Sequence, residues 1–142
     1  MQLEDMLAYK VAMLASDLSD SLAQEYATYQ LTRSEWRILA TLGALGNKLG
    51  KISLTSKDIA TETRLDKVQV SRALERLAKR NAIEKRSSKR DKRATLISLS
   101  VEGRKIYHAL LPKVVCWQNE RLKNITEDEY QIFLKVIDAL KP

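Results

Sequence analysis

Residues 65–81, "LDKVQVSRALERLAKRN", decide how the whole chain is read. At about 100° per residue, Val70, Ala73, Leu74, Leu77 and Ala78 gather on one side of a helix predicted over 66–80. Val68, Gln69, Arg72, Arg76 and Lys79 share the opposite side, with Ser71 at its margin. Asp66 is a good N-cap, and Asn81 suits the left-handed residue that closes a helix. The outward face therefore presents a methyl group, an amide and guanidinium groups, crowded with Lys67 into its first turns. Solubility alone requires no such crowding.

The neighbours of this helix give it a setting. Upstream, Thr55 and Asp58 in "LTSKDIATET" have capping-box spacing, which predicts a brief helix to about residue 62 and then a tight turn. Downstream, "AIEKR" (82–86) and "ATLISLS" (94–100) have strand composition and flank the polar tip "SSKRDK". Further out, apolar spacing predicts one long helix over residues 2–29, and Thr32 with Glu35 starts another that "LGNKLGKIS" (45–53) should break. Ser100 caps a helix from 101 to about 123, kinked at Pro112, and Thr126 with Glu129 starts a terminal one. The fold class is mostly α with a small β-hairpin (α+β). No internal repeat or long linker divides it.

Composition narrows the class. The chain has 142 residues, 44% hydrophobic and 30% charged, with four glycines and two prolines, as expected for a helical globular protein. No apolar run reaches the ~20 residues of a membrane span, and no signal peptide is read, so a membrane partner is not expected. With a single cysteine an internal disulfide is excluded and a cytoplasmic location is the expectation. The net charge of +7 is unevenly spread: residues 1–30 carry five acids and one lysine, whereas residues 64–93 carry twelve Lys/Arg against four acids. Such a local basic surface is the footprint of a polyanion partner.

Shape and charge then combine. Methyl, amide and guanidinium groups are the chemistries that read thymine methyl, adenine N6/N7 and guanine O6/N7 in the major groove. A short helix and a tight turn before the reading helix match a helix-turn-helix. Each residue also has a plainer role. Gln69 completes a capping box with Asp66, Val68 packs on residue 65, and Arg76 pairs with Glu75 or Asp91; Arg72 has no such alternative. In the hairpin, "KRSSKRDKRA" holds seven charges in ten residues. Asp91, two residues from Arg93, is placed to fix that guanidinium for entry into the electronegative minor groove.

The runs "LTRSEWRILATL", "LTSKDIATETRLDKVQVSRALERLAKRNAIEKRSSKRDKRATLISLSVEGRKIY" and "ITEDEYQIFLKVIDAL" resemble the MarR family of transcriptional regulators over about residues 30–141. The resemblance implies a winged helix-turn-helix at 31–100 and a dimerisation region formed by 1–30 and 101–142. It also implies a homodimer on an operator in double-stranded DNA. Ser71 and Arg72 match the recognition-helix "SR", with Lys67, Val68, Gln69 and Arg76 beside them. Thr55, Ser56 and Lys57 open the first helix of the motif. Arg86, Lys89, Arg90, Asp91, Lys92 and Arg93 form the wing, with Arg93 as the wing arginine, Asp91 orienting it and Arg86 bracing the hairpin base. Two positions depart from the family pattern: Asn81 stands where glycine is usual and Ser100 where threonine is usual. Members often hold a small aromatic or anionic effector, for which Tyr9, Met13, Trp36, Arg37, His108 and Trp117 are candidate lining residues.

No catalytic set is legible, so the chain is not expected to be an enzyme, and no cofactor is expected. His108 and Cys116 are eight positions apart, ~12 Å along a helix, too far to share a metal ion. Cys116 is expected to be a small buried or half-buried hydrophobe. The expected function is a DNA-binding regulator, a repressor acting on a pseudo-palindromic operator. Two rivals remain: a helical module whose basic hairpin grips an acidic protein, and an RNA binder. The second is weakened by the lack of stacking aromatics in 64–93.

Overall fold

Side chains start most of the helices. Thr55, Asp66 and Thr126 each accept from the N–H three residues on, and Asp58, Gln69 and Glu129 reach back to complete capping boxes. The Thr126 backbone and side chain hold the Glu129 carboxyl below its usual range. Ser100 accepts from Gly103 N–H at 3.0 Å. The computed structural model describes residues 1–49, 52–90 and 93–142. These form α1 (Leu7–Ala27), α2 (Arg33–Leu49), α3 (Ser56–Thr63), α4 (Lys67–Lys79), β1 (Ile83–Ser87), β2 (Thr95–Leu99), α5 (Val101–Leu122) and α6 (Glu127–Leu140).

The core is built where the apolar stripes converge. Ile38 and Leu39 of α2, Ile59 of α3, Leu77 of α4, Ile97 of β2 and Leu110 of α5 are all fully or almost fully buried. Each such side chain stabilises the fold by about 1.5–3 kcal/mol relative to exposure. α1 joins this core at its C-terminal end, where buried Tyr26 stacks on Trp36 at 5.8 Å. Asp20 on α1 also accepts from Arg33 on α2 at 2.6 Å, and the Tyr26 oxygen and Asp20 together raise the Arg33 pKa.

β1 and β2 pair antiparallel with Ile83 opposite Leu99 and Ser87 opposite Thr95. Both strands lie within a residue or two of expectation. Leu54, which no local pattern marks as a strand, bridges Ile97 through two backbone bonds of 2.9 and 2.7 Å.

Two expectations, the start of the first helix and the burial of Cys116, need correction. The first helix does not run unbroken from residue 2: a 3-10 turn (Leu3–Asp5) precedes it, and Met6 is extended. α2 passes through Gly46 and ends at Leu49, inside the 45–53 segment expected to break it. A helical glycine costs only about 0.5–1 kcal/mol, too little to end a helix anchored by Ile38, Leu39 and Leu42. Cys116 is exposed, because α5 turns that face away from its own core. Arg93 lies in the turn before β2, and Asp91 lies outside the described residues. Pro112 sits inside α5 without ending it.

α6 stands apart: none of its residues is buried, and Ile132, Phe133, Val136 and Ile137 are 40–62% exposed. The N-terminal half of α1 likewise exposes Leu7, Val11, Met13 and Leu14. No described helix is long and apolar enough to cross a membrane.

Candidate nucleic-acid interface

α4 is mounted by its apolar side. Val70, Ala73, Leu74 and Leu77 are buried, which fixes its rotation and turns Lys67, Val68, Gln69, Ser71, Arg72 and Arg76 outward. Arg64, left-handed at φ 56°, makes the turn from α3 possible. Non-glycine residues adopt that conformation at a cost of roughly 1–2 kcal/mol, here offset by burial of Leu65. No glycine marked this turn in the sequence. At the other end, Asn81 (φ 56°) donates to Ala78 O, and Ala82 donates to Leu77 O, the Schellman closure expected of a left-handed residue there.

The outward face divides by what each side chain already does. Val68 is 56% exposed, so it does not pack away on residue 65. Arg72 and Arg76 make no hydrogen bond or ion pair among the described residues, and Glu75 lies 3.9 Å from Lys79 instead. Gln69 is engaged: its Oε1 accepts from Asp66 N–H at 3.1 Å, leaving its amide nitrogen as the group still available.

α3, α4 and β1 enclose a hollow of about 630 Å³ lined by Ser56, Lys57, Lys67, Ser71 and Lys85 over an apolar floor of Ala60, Val70 and Leu74. It brings Ser56 and Lys57 of α3 together with Lys67 and Ser71 of α4. Val68, Gln69, Arg72 and Arg76 do not line it, nor does Thr55, whose oxygen caps α3. Lys85 was missed by the sequence reading; only its register opposite Ile97 places it here.

In the wing, Arg86 donates to Ser53 Oγ at 3.2 Å, tying the hairpin to the segment before α3. Lys89 and Arg90 are exposed and flank a shallow hollow of about 350 Å³ with Arg86 and Leu96. Arg93 is exposed and engaged with a neighbour. Asp91 and Lys92 lie outside the described residues.

The hollows among the described residues divide the six candidate effector residues. Trp36 and Arg37 border a hollow of about 320 Å³ between α1 and α2, with Tyr26 and Arg33. Trp117 borders another of about 470 Å³ between α1 and α5, its Nε1 donating to Ser21 at 3.0 Å. Tyr9 is half-buried, Met13 and His108 are exposed, and none of these three borders either hollow.

Residues 29–94, from the end of α1 through the wing tip, match the model of the MarR family. This lobe is similar to the MarR family. Among curated protein sequences none matches. Solved structures share the fold of nearly the whole chain. A MarR-family transcriptional regulator from Silicibacter pomeroyi is 23% identical, over 98% of this chain and 90% of that one, with a TM-score of 0.79. A mutant MarR from E. coli complexed with operator DNA is 20% identical, over 96% and 94%, with a TM-score of 0.80. BpsR from Bordetella bronchiseptica, whose DNA binding is regulated by 6-hydroxynicotinic acid, is 16% identical over 99% and 96%, with a TM-score of 0.83. At these identities the likeness is one of fold. It extends the MarR architecture beyond the matched lobe to α5 and α6.

Proposed function

We propose that this chain is a MarR-family transcriptional regulator, a repressor that binds a pseudo-palindromic operator in double-stranded DNA as a homodimer. The observation that carries the reading is the outward face of α4. Lys67, Val68, Ser71, Arg72 and Arg76 are all exposed at one helix face whose opposite side is locked into the core. A rigid helix offering a methyl, a hydroxyl and uncommitted guanidinium groups suits a major groove, with base edges read near its N-terminus. Thr55, Ser56 and Lys57 then face the phosphates at the start of α3. Arg86 braces the wing, while Lys89, Arg90, Lys92 and Arg93 follow the backbone toward the minor groove with Asp91 orienting Arg93.

Residues 31–100 form the DNA-binding lobe in this reading, and 1–30 with 101–142 the dimerisation region. The exposed apolar faces of α1 and α6 support that division, since the chain leaves them without cover of its own. The E. coli MarR–operator complex supports the DNA partner. BpsR supports a small aromatic, anionic effector, for which the hollow beside Trp36, Arg33 and Arg37 offers a ring and two cations.

Selection of bound fragments from genomic DNA, followed by footprinting, tests the reading. The expected result is a consensus with half-sites about one turn, ~34–36 Å, apart. Recovery of no consensus would sink it in favour of binding to an acidic protein.

A further inference from the structure

The C-terminal end of α4 is a junction between both of the proposed dimer arms. Half-buried Arg80, the residue after α4, donates through Nη2 to Tyr29 O at 2.7 Å and through Nη1 to Gln30 O at 3.2 Å. Those carbonyls directly follow α1, and Gln30 is held left-handed at φ 58° to present them. Helix C-termini carry partial negative charge, so one guanidinium serves the ends of α1 and α4 together. On the other side of the same turn, Ser100 donates through its N–H to Ala82 O at 3.1 Å and through its hydroxyl to Asn81 O, fixing the start of α5. Tyr29 also lies under Lys113 of α5, 5.6 Å from its ring.

This placement has leverage. α4 has 13 residues and is about 20 Å long. Pivoting it by ~10° at Arg80 would displace its reading end by ~3.5 Å, about one base-pair step along the duplex. We infer that Arg80 is a positioning residue: by clamping the end of α4 to the end of α1, it fixes the half-site spacing that the dimer accepts. The inference rests on the proposed DNA-binding function. Arg80 is absent from the reading face, and its donors are turned inward to carbonyls, so its role is orientation rather than contact with DNA.

The test compares wild type, Arg80→Ala and Arg80→Lys on the selected operator and on versions with one base pair added or removed between half-sites. Wild type should discriminate by about tenfold or more, the scale of a lost base-pair match. Both variants should lose most of that ratio, because Lys keeps the charge but cannot fork onto two carbonyls. Binding to an isolated half-site should not change. Equal weakening on every spacing, or an unchanged ratio, overturns the inference and leaves the proposed function standing. Failure of wild type to yield an operator sinks the function instead. A second readout needs no DNA: spin labels at position 68 of the two protomers, in a Cys116→Ser background, should show a distance distribution that broadens in both variants. An unbroadened distribution also overturns the inference.

Discussion

The side-chain oxygen of Gln69 accepts a hydrogen bond from the backbone N–H of Asp66 at 3.1 Å, while Asp66 accepts from Gln69 N–H at 2.8 Å. A residue suited to reading adenine is thus committed to starting its own helix. Its Oε1 can accept from adenine N6 only by leaving the box; its amide can donate without doing so. Gln69→Glu should retain the box and the melting temperature yet weaken operator binding, because it places an anion on the reading face. Asp66→Ala should cost about 0.5–2 kcal/mol in unfolding free energy. Thermal melts beside titrations check both. If Gln69→Glu binds as wild type does, Gln69 is a cap and not a reader.

Arg72 and Lys89 should fail differently. Arg72 is exposed on α4 and unpaired among the described residues. Arg72→Ala should cost ~1–3 kcal/mol and relax preference at one base position. Lys89→Ala, on the wing, should weaken all sequences alike and make the salt dependence shallower. Identical behaviour across a mutated operator series would remove Arg72 from the readers.

Much of this was legible in the sequence because it is written locally. Caps such as Thr55, Asp66, Ser100 and Thr126 act within three residues, and the apolar stripe of α4 fixes which side faces out. What escaped depends on residues distant in sequence. Leu54 meets Ile97, Arg80 meets Tyr29, and Lys85 joins the hollow beside α4 only through strand register.

The wing offers a test of sign. Arg93→Ala should reduce DNA affinity with dimer and fold intact, since an exposed turn residue has little core to lose. Asp91→Ala should also reduce it, although it removes a negative charge, if the carboxylate orients Arg93 through a charge-assisted bond. A titration at fixed salt in which Asp91→Ala binds more tightly than wild type would leave the wing a simple cationic patch.

Two glycines should respond in opposite directions to alanine. A Cβ at Gly103 would lie 2.0 Å from Ala82 O, a backbone atom, so α5 and the end of α4 must separate. Gly103→Ala should destabilise by at least the ~1–3 kcal/mol of overpacking. A Cβ at Gly46 meets nothing within 4 Å, and α2 is helical there. Gly46→Ala should stabilise by about 0.5–1 kcal/mol. Chemical denaturation of the pair checks the close α4–α5 contact against the continuity of α2.

Assembly is the remaining prediction, and the exposed faces decide its form. On α6, Phe133 is 48% exposed, Ile137 40% and Ile132 62%, while on α1 Val11 is 50% and Leu14 48% exposed. Contiguous apolar surface of this kind on two helices marks an interface, whereas scattered exposed residues need no explanation. A closed two-fold pair lets each copy cover the other's faces and presents two α4 helices to two half-sites. Light scattering should therefore give twice the 16.2 kDa chain mass at micromolar concentration. Phe133→Asp with Ile137→Asp should yield monomers, since each would bury an unpaired carboxylate at the interface. The lobe itself should remain folded, because none of the α6 residues is buried in its own chain. The monomer should lose operator affinity but keep weak, salt-sensitive binding to any duplex. A wild-type chain that scatters as a monomer, or a double variant that still dimerises, would place the interface elsewhere.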